Sequence, residues 1–142
     1  MRTLLVMAAL AAPLVAAPVP RSLTKPRDGT EVLGTWQLVR YDIKGLPGGF
    51  AEGVAYRFEP GGGSFAVYSN NGGETPLGYT FDADGVEWRT RPDAKPALGS
   101  YKVEGDTLYL IHAYDPTDPR PTAFAPGERV FYAELRRKPP AK

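Results

Sequence analysis

Leu98-Gly99-Ser100-Tyr101-Lys102-Val103-Glu104, then Gly105-Asp106, then Thr107-Leu108-Tyr109-Leu110-Ile111-His112-Ala113: two alternating runs across a two-residue turn decide the fold class of this chain. A period of two sets successive side chains on opposite faces of a strand, and a Gly-Asp step between two such runs marks a hairpin. Asp84-Gly85 is a second dipeptide turn, leading into a run over 86–91. Pro60-Gly61-Gly62-Gly63 and Asn70-Asn71-Gly72-Gly73, rich in residues that tolerate positive φ, separate runs over 54–59, 64–69 and 77–82.

Working outward, the first run covers 34–43 and the last 128–137, and no segment has a convincing helical period. Within 34–43 the phase shifts: Trp36 and Leu38 share one face, whereas Val39, Tyr41 and Ile43 alternate after them. A bulge near Leu38–Val39 reconciles the two, and bulges bend strands around a barrel. The runs number eight, which predicts an all-β, eight-stranded antiparallel up-and-down barrel whose interior is either packed or holds one small ligand.

Composition narrows the chemistry. The chain has 142 residues, enough for one domain, with 16 Gly, 15 Pro, no Cys and one His. Disulfides, thiolate nucleophiles and cysteine-ligated metals are excluded, and histidine chemistry is confined to His112. Lys and Arg total 17 against 16 Asp and Glu, so there is no one-signed field to attract nucleic acid.

Residues 1–17 read as a secretory signal peptide: Arg2, an apolar run from Leu4 to Val15, then Ala16 and Ala17. That run is shorter than the roughly 20 residues of a spanning helix, so no stable membrane anchor is expected after cleavage. Cleavage removes only Arg2 among charged residues and leaves 16 positive against 16 negative. Residues 18–31, with three prolines and alternating charge, read as an extended linker, 32–139 as the barrel domain and 140–142 as a tail.

Gly34-Thr35-Trp36 resembles the G-x-W motif of lipocalins, in which a tryptophan closes one end of the barrel and an arginine of the last strand stacks on it. If Phe131, Ala133 and Leu135 face inward, the period of two places Arg137 on that side, over Trp36. The segment from Leu33 to Pro139 is similar to a family of uncharacterised exported lipocalin-like domains abundant in planctomycete bacteria. Its pattern, L-x-G-T-W, G-x-Y-x-x-x-G-D-x-L, R-P-x-x-F and a closing L-K/R-R, is matched at Leu33-Gly34-Thr35-Trp36, between Gly99 and Leu108, at Arg120-Pro121-Thr122-Ala123-Phe124 and at Leu135-Arg136-Arg137. One departure is the missing residue between Leu33 and Gly34. The resemblance implies a fold and an exported location, and no activity.

Few residues offer candidate chemistry. His112 with Asp115 and Asp118 has the donor types of a metal site, but a barrel-mouth histidine on the face of Leu108 and Leu110 explains it more simply. Asp82-Ala83-Asp84-Gly85 begins like a calcium loop, yet position 93 is Asp rather than the bidentate Glu, and a hairpin turn accounts for it. Paired carboxylates or a Ser, His112 and Asp set need tertiary contacts that spacing does not supply, so no catalytic residue, metal or cofactor is assigned. The loop over 114–127, stiffened by Pro116, Pro119, Pro121 and Pro126, is read as a rim, with Arg120 either binding an anionic group or pairing with an Asp, and Phe124 plugging a barrel end. The expectation is thus an exported monomer that takes a small hydrophobic ligand, its interior formed by Tyr56, Phe58, Phe65, Tyr79, Phe81, Trp88, Tyr101, Leu108, Leu110 and His112. The alternative is a cell-envelope interaction module with a solid barrel.

Overall fold

The computed structural model describes residues 29–49, 52–82 and 85–139. The signal-peptide reading, most of the linker and the tail lie outside these residues. Apart from one turn of 3-10 helix, Thr30–Val32, the regular structure among the described residues is strand: β1 Gly34–Ile43, β2 Leu46–Pro47, β3 Val54–Phe58, β4 Ser64–Tyr68, β5 Glu74–Leu77, β6 Tyr79–Asp82, β7 Gly85–Trp88, β8 Ala97–Glu104, β9 Thr107–Ala113 and β10 Val130–Arg137.

All pairings are antiparallel, in the order β5-β4-β3-β1-β10-β9-β8-β7-β6, with β2 beside β1. The sheet's two outer strands, β5 and β6, follow one another in the chain with only Gly78 between them, so the sheet comes nearly full circle into a barrel. Ten strands stand where the sequence reading counted eight. The two-residue β2 is one addition, and the other is the division of the expected 77–82 run at Gly78, with β5 beginning at Glu74.

Gly78 is where the wall bends. Its carbonyl accepts from the Arg89 amide at 2.9 Å, and a Cβ at this position would collide with the Arg89 carbonyl oxygen, so only glycine allows the approach. Ser64 spans the same bend: its hydroxyl donates to the Leu77 carbonyl at 2.7 Å and accepts from the Tyr79 amide at 3.1 Å. The hydroxyl thereby meets backbone groups that the change of strand partner leaves off the ladder.

The register of β1 against β10 shifts between Leu38 and Arg40, the bulge expected from the phase change, and Val39 is left half exposed. Before the shift Trp36 pairs with Arg137 and Leu38 with Leu135; after it Tyr41 pairs with Ala133 and Ile43 with Phe131. The bulge keeps Leu38 and Tyr41 on the inner side of one strand although they are three residues apart.

Trp36, fully buried, closes one end. Its indole N–H donates to the Val32 carbonyl at 2.8 Å, and the Arg137 guanidinium lies 4.1 Å from the ring centroid. Arg137 also donates to the carbonyls of Leu33 (3.2 Å) and Glu31 (2.9 Å), tying the start of the described chain to its last strand. Gly29 is buried against Phe81, so the final residues of the expected linker are part of the packed end. Arg137→Ala is expected to lower stability by about 1–2 kcal/mol, the sum of an exposed cation–π contact and charge-assisted hydrogen bonds. Chemical denaturation checks this, and an unchanged midpoint would show that the arginine only decorates the end.

Candidate functional site

The end away from Trp36 is open. An apolar cavity of about 300 Å³ lies there, lined by Leu38, Tyr41, Val54, Tyr56, Ala66, Tyr68, Leu77 and Phe131. Strand parity puts these side chains together: Tyr56 pairs with both Trp36 and Ala66, so the inner face of β1 continues across β3 to β4. Between the cavity and the closed end the barrel is filled by rings. Tyr56, Phe58, Tyr79, Phe81 and Tyr101 touch in sequence with centroids 5.0 to 6.5 Å apart, mostly edge to face. A slightly smaller and more enclosed pocket of about 250 Å³, lined by Gly29, Thr30, Val32, Phe58, Phe81 and the turn over 60–63, flanks the bend at the other end.

Beside the mouth four rings form a column. Trp88 stacks on His112 (5.0 Å, 18°), His112 on Phe131 (4.9 Å, 20°) and Phe131 on Tyr41 (6.1 Å, 27°), so the Phe131 wall of the cavity is backed by a buried imidazole. His112 Nδ1 is 2.8 Å from the Ala113 carbonyl, which only accepts, and so carries the proton; Nε2 then accepts from the Tyr79 hydroxyl at 3.3 Å. Loss of hydration lowers the His112 pKa from 6.5 to about 4, the hydrogen bond to Ala113 opposing it weakly, and burial raises that of Tyr79. At neutral pH the ring is an uncharged part of the wall.

Of the residues expected inside, Phe58, Tyr79, Tyr101, Leu108 and Leu110 are buried in the core, Phe81 and Trp88 pack against it half-buried, and Tyr56 reaches the cavity. Phe65 is a correction. It pairs with Arg57, whose guanidinium lies 4.9 Å from its ring, and both stand on the outer face, because the inner positions of β4 are Ser64, Ala66 and Tyr68.

The proline-rich loop is a second correction: it runs along the outside of β8 rather than over an end. Ser100 Oγ donates to the Pro121 carbonyl at 3.2 Å, and Arg120 donates to the Gly99 carbonyl, passing Gly85 where a Cβ would strike its guanidinium. Phe124 plugs no end; its ring is 5.0 Å from Lys102 Nζ, which also covers Tyr109. His112, Asp115 and Asp118 are not gathered either. Asp115 accepts from the Thr117 amide (2.9 Å) and hydroxyl (2.8 Å), Asp118 pairs with Arg129 at 3.4 Å, and among the described residues no three such donors converge on a metal position. Asp82 accepts from the Gly85 amide at 2.9 Å, as a hairpin turn requires.

Leu38, Tyr41, Val54, Ala66, Tyr68, Leu77 and Phe131 were not singled out from the sequence as cavity residues. The available signal was the phase shift in β1, which, carried through the bulge, brings Tyr41 beside Leu38. Among the described residues no helix is long and apolar enough to cross a membrane. No family model, no curated protein and no solved structure matches the chain.

Proposed function

We propose that this protein is an exported, lipocalin-like barrel that binds a small, largely apolar ligand in its open end. The cavity of about 300 Å³ carries the reading: it is walled by side chains from β1, β3, β4, β5 and β10 and is concave and apolar, as small-molecule sites are. Two further features support the lipocalin-like part. Trp36 under Arg137 closes the opposite end, and β5 with β6, taken as one strand bent at Gly78 and with β2 set aside, gives an eight-stranded count. Export rests on the N-terminal sequence alone.

A neutral environment-sensitive dye such as 2-propionyl-6-dimethylaminonaphthalene tests the reading. The folded protein is expected to bind it saturably, and Ala66→Trp, which fills the cavity from one wall, is expected to abolish binding while the strand signature in circular dichroism persists. Unaltered dye binding by this variant would place the ligand elsewhere, and no saturable binding of any apolar probe would favour the solid interaction module.

A further inference from the structure

Three of the cavity's eight lining residues are tyrosines, Tyr41, Tyr56 and Tyr68, and the other five are Leu38, Val54, Ala66, Leu77 and Phe131. No charged side chain contributes. The three tyrosines come from β1, β3 and β4, strands adjacent in the sheet, and lie around one opening.

Several polar groups of the barrel interior are hydrogen-bonded within the protein. Tyr79 gives its hydroxyl to His112, Ser64 meets the backbone at the bend, and Trp36 donates to Val32. Among the described residues, by contrast, Tyr41, Tyr56 and Tyr68 have no hydrogen-bond partner for their hydroxyls. None of the three hydroxyls is sealed from solvent, although Tyr56 as a whole is only 9% exposed, so a ligand filling the mouth takes the place of water at them. Burial, with Tyr41 and Tyr68 near it, pushes the Tyr56 hydroxyl up to about 12, so it stays protonated and able to donate at neutral pH.

We infer that the ligand is an uncharged, mainly apolar molecule carrying a hydrogen-bonding oxygen, its apolar part against Leu38, Leu77 and Phe131 and its oxygen at the tyrosine hydroxyls. The inference rests on the binding reading above and specifies the chemistry of that same cavity. A carboxylate or ammonium would enter without a counter-charge and lose its hydration, which disfavours it. A pure hydrocarbon would leave the hydroxyls cut off from water with nothing to bond, which also disfavours it. The same asymmetry lets sites built around buried hydrogen-bonding groups reject analogues that lack the matching atom.

Three probes that share one ring system separate these cases: naphthalene, 2-acetylnaphthalene and 2-naphthoate, titrated calorimetrically into the full-length protein. 2-Acetylnaphthalene is expected to bind about tenfold more tightly than either of the others. In Tyr56→Phe/Tyr68→Phe its advantage over naphthalene is expected to disappear while naphthalene affinity stays within about twofold, and Tyr41→Phe alone should remove part of it. Equal affinity for the two neutral probes, or preference for 2-naphthoate, would overturn the inference and leave the cavity as a binding site. Failure of all three to bind would overturn the inference together with the binding reading.

Discussion

Trp36→Ala is expected to cost about 3–5 kcal/mol of folding stability, the range for deleting a fully packed large aromatic side chain. The indole is 0% exposed, it satisfies the Val32 carbonyl, and Arg137 depends on its face. Three losses therefore coincide: the buried surface, a hydrogen bond within the turn that covers the end, and the seat of a cation. Urea unfolding followed by circular dichroism gives the number, and a loss below about 1 kcal/mol would mean that the end is closed by something other than this ring. Trp36→Phe should recover much of the packing without the N–H and fall between the two.

The second large effect is with pH. His112 is 3% exposed and takes up a proton in the folded protein only near pH 4, whereas an unfolded chain does so near 6.5. Above 6.5 both states are neutral and the residue adds no slope. As pH falls from 6.5 to about 4 the unfolded state binds a proton that the folded state refuses, so stability declines; below that both are protonated and the loss levels off at about 3 kcal/mol. Carboxylates titrate over part of the same range, so the measurement is a difference. Wild type is expected to lose about 3 kcal/mol more than His112→Phe between pH 7 and pH 4, and parallel curves would show that the buried imidazole is not the titrating group.

How much of this was readable in the chain depends on where local pattern and tertiary register agree. The hairpin around Gly105-Asp106 was legible because turn chemistry and alternation give the same answer, and β8 and β9 pair across it as their pattern demands. The bulge in β1 was legible from its phase shift. Phe65 was not. The run over 64–69 carries aromatic residues at both parities, Phe65 on one face and Tyr68 on the other, so hydropathy cannot choose, and the pairing of Tyr56 with Ala66 decides. The cavity inherits that ambiguity, since Ala66 and Tyr68 line it and Phe65 does not. The course of the proline-rich loop was hidden for a different reason. Its docking depends on the absence of a side chain at Gly85, a space that exists only once β7 and β8 are paired.

The bonds from Arg137 to Leu33 and Glu31 make the domain, in polymer language, a ring with a single nick. Local opening starts at the margins of a folded unit, and Glu31 and Arg137 both lie beside Trp36, so opening there is expected to expose the largest buried side chain and to leave the far mouth intact. Loosening of the whole structure is thereby assigned to the pole opposite the tyrosine-lined mouth. Trp36 emission, read in a Trp88→Phe background so that the second indole beside the mouth is silent, follows that loosening.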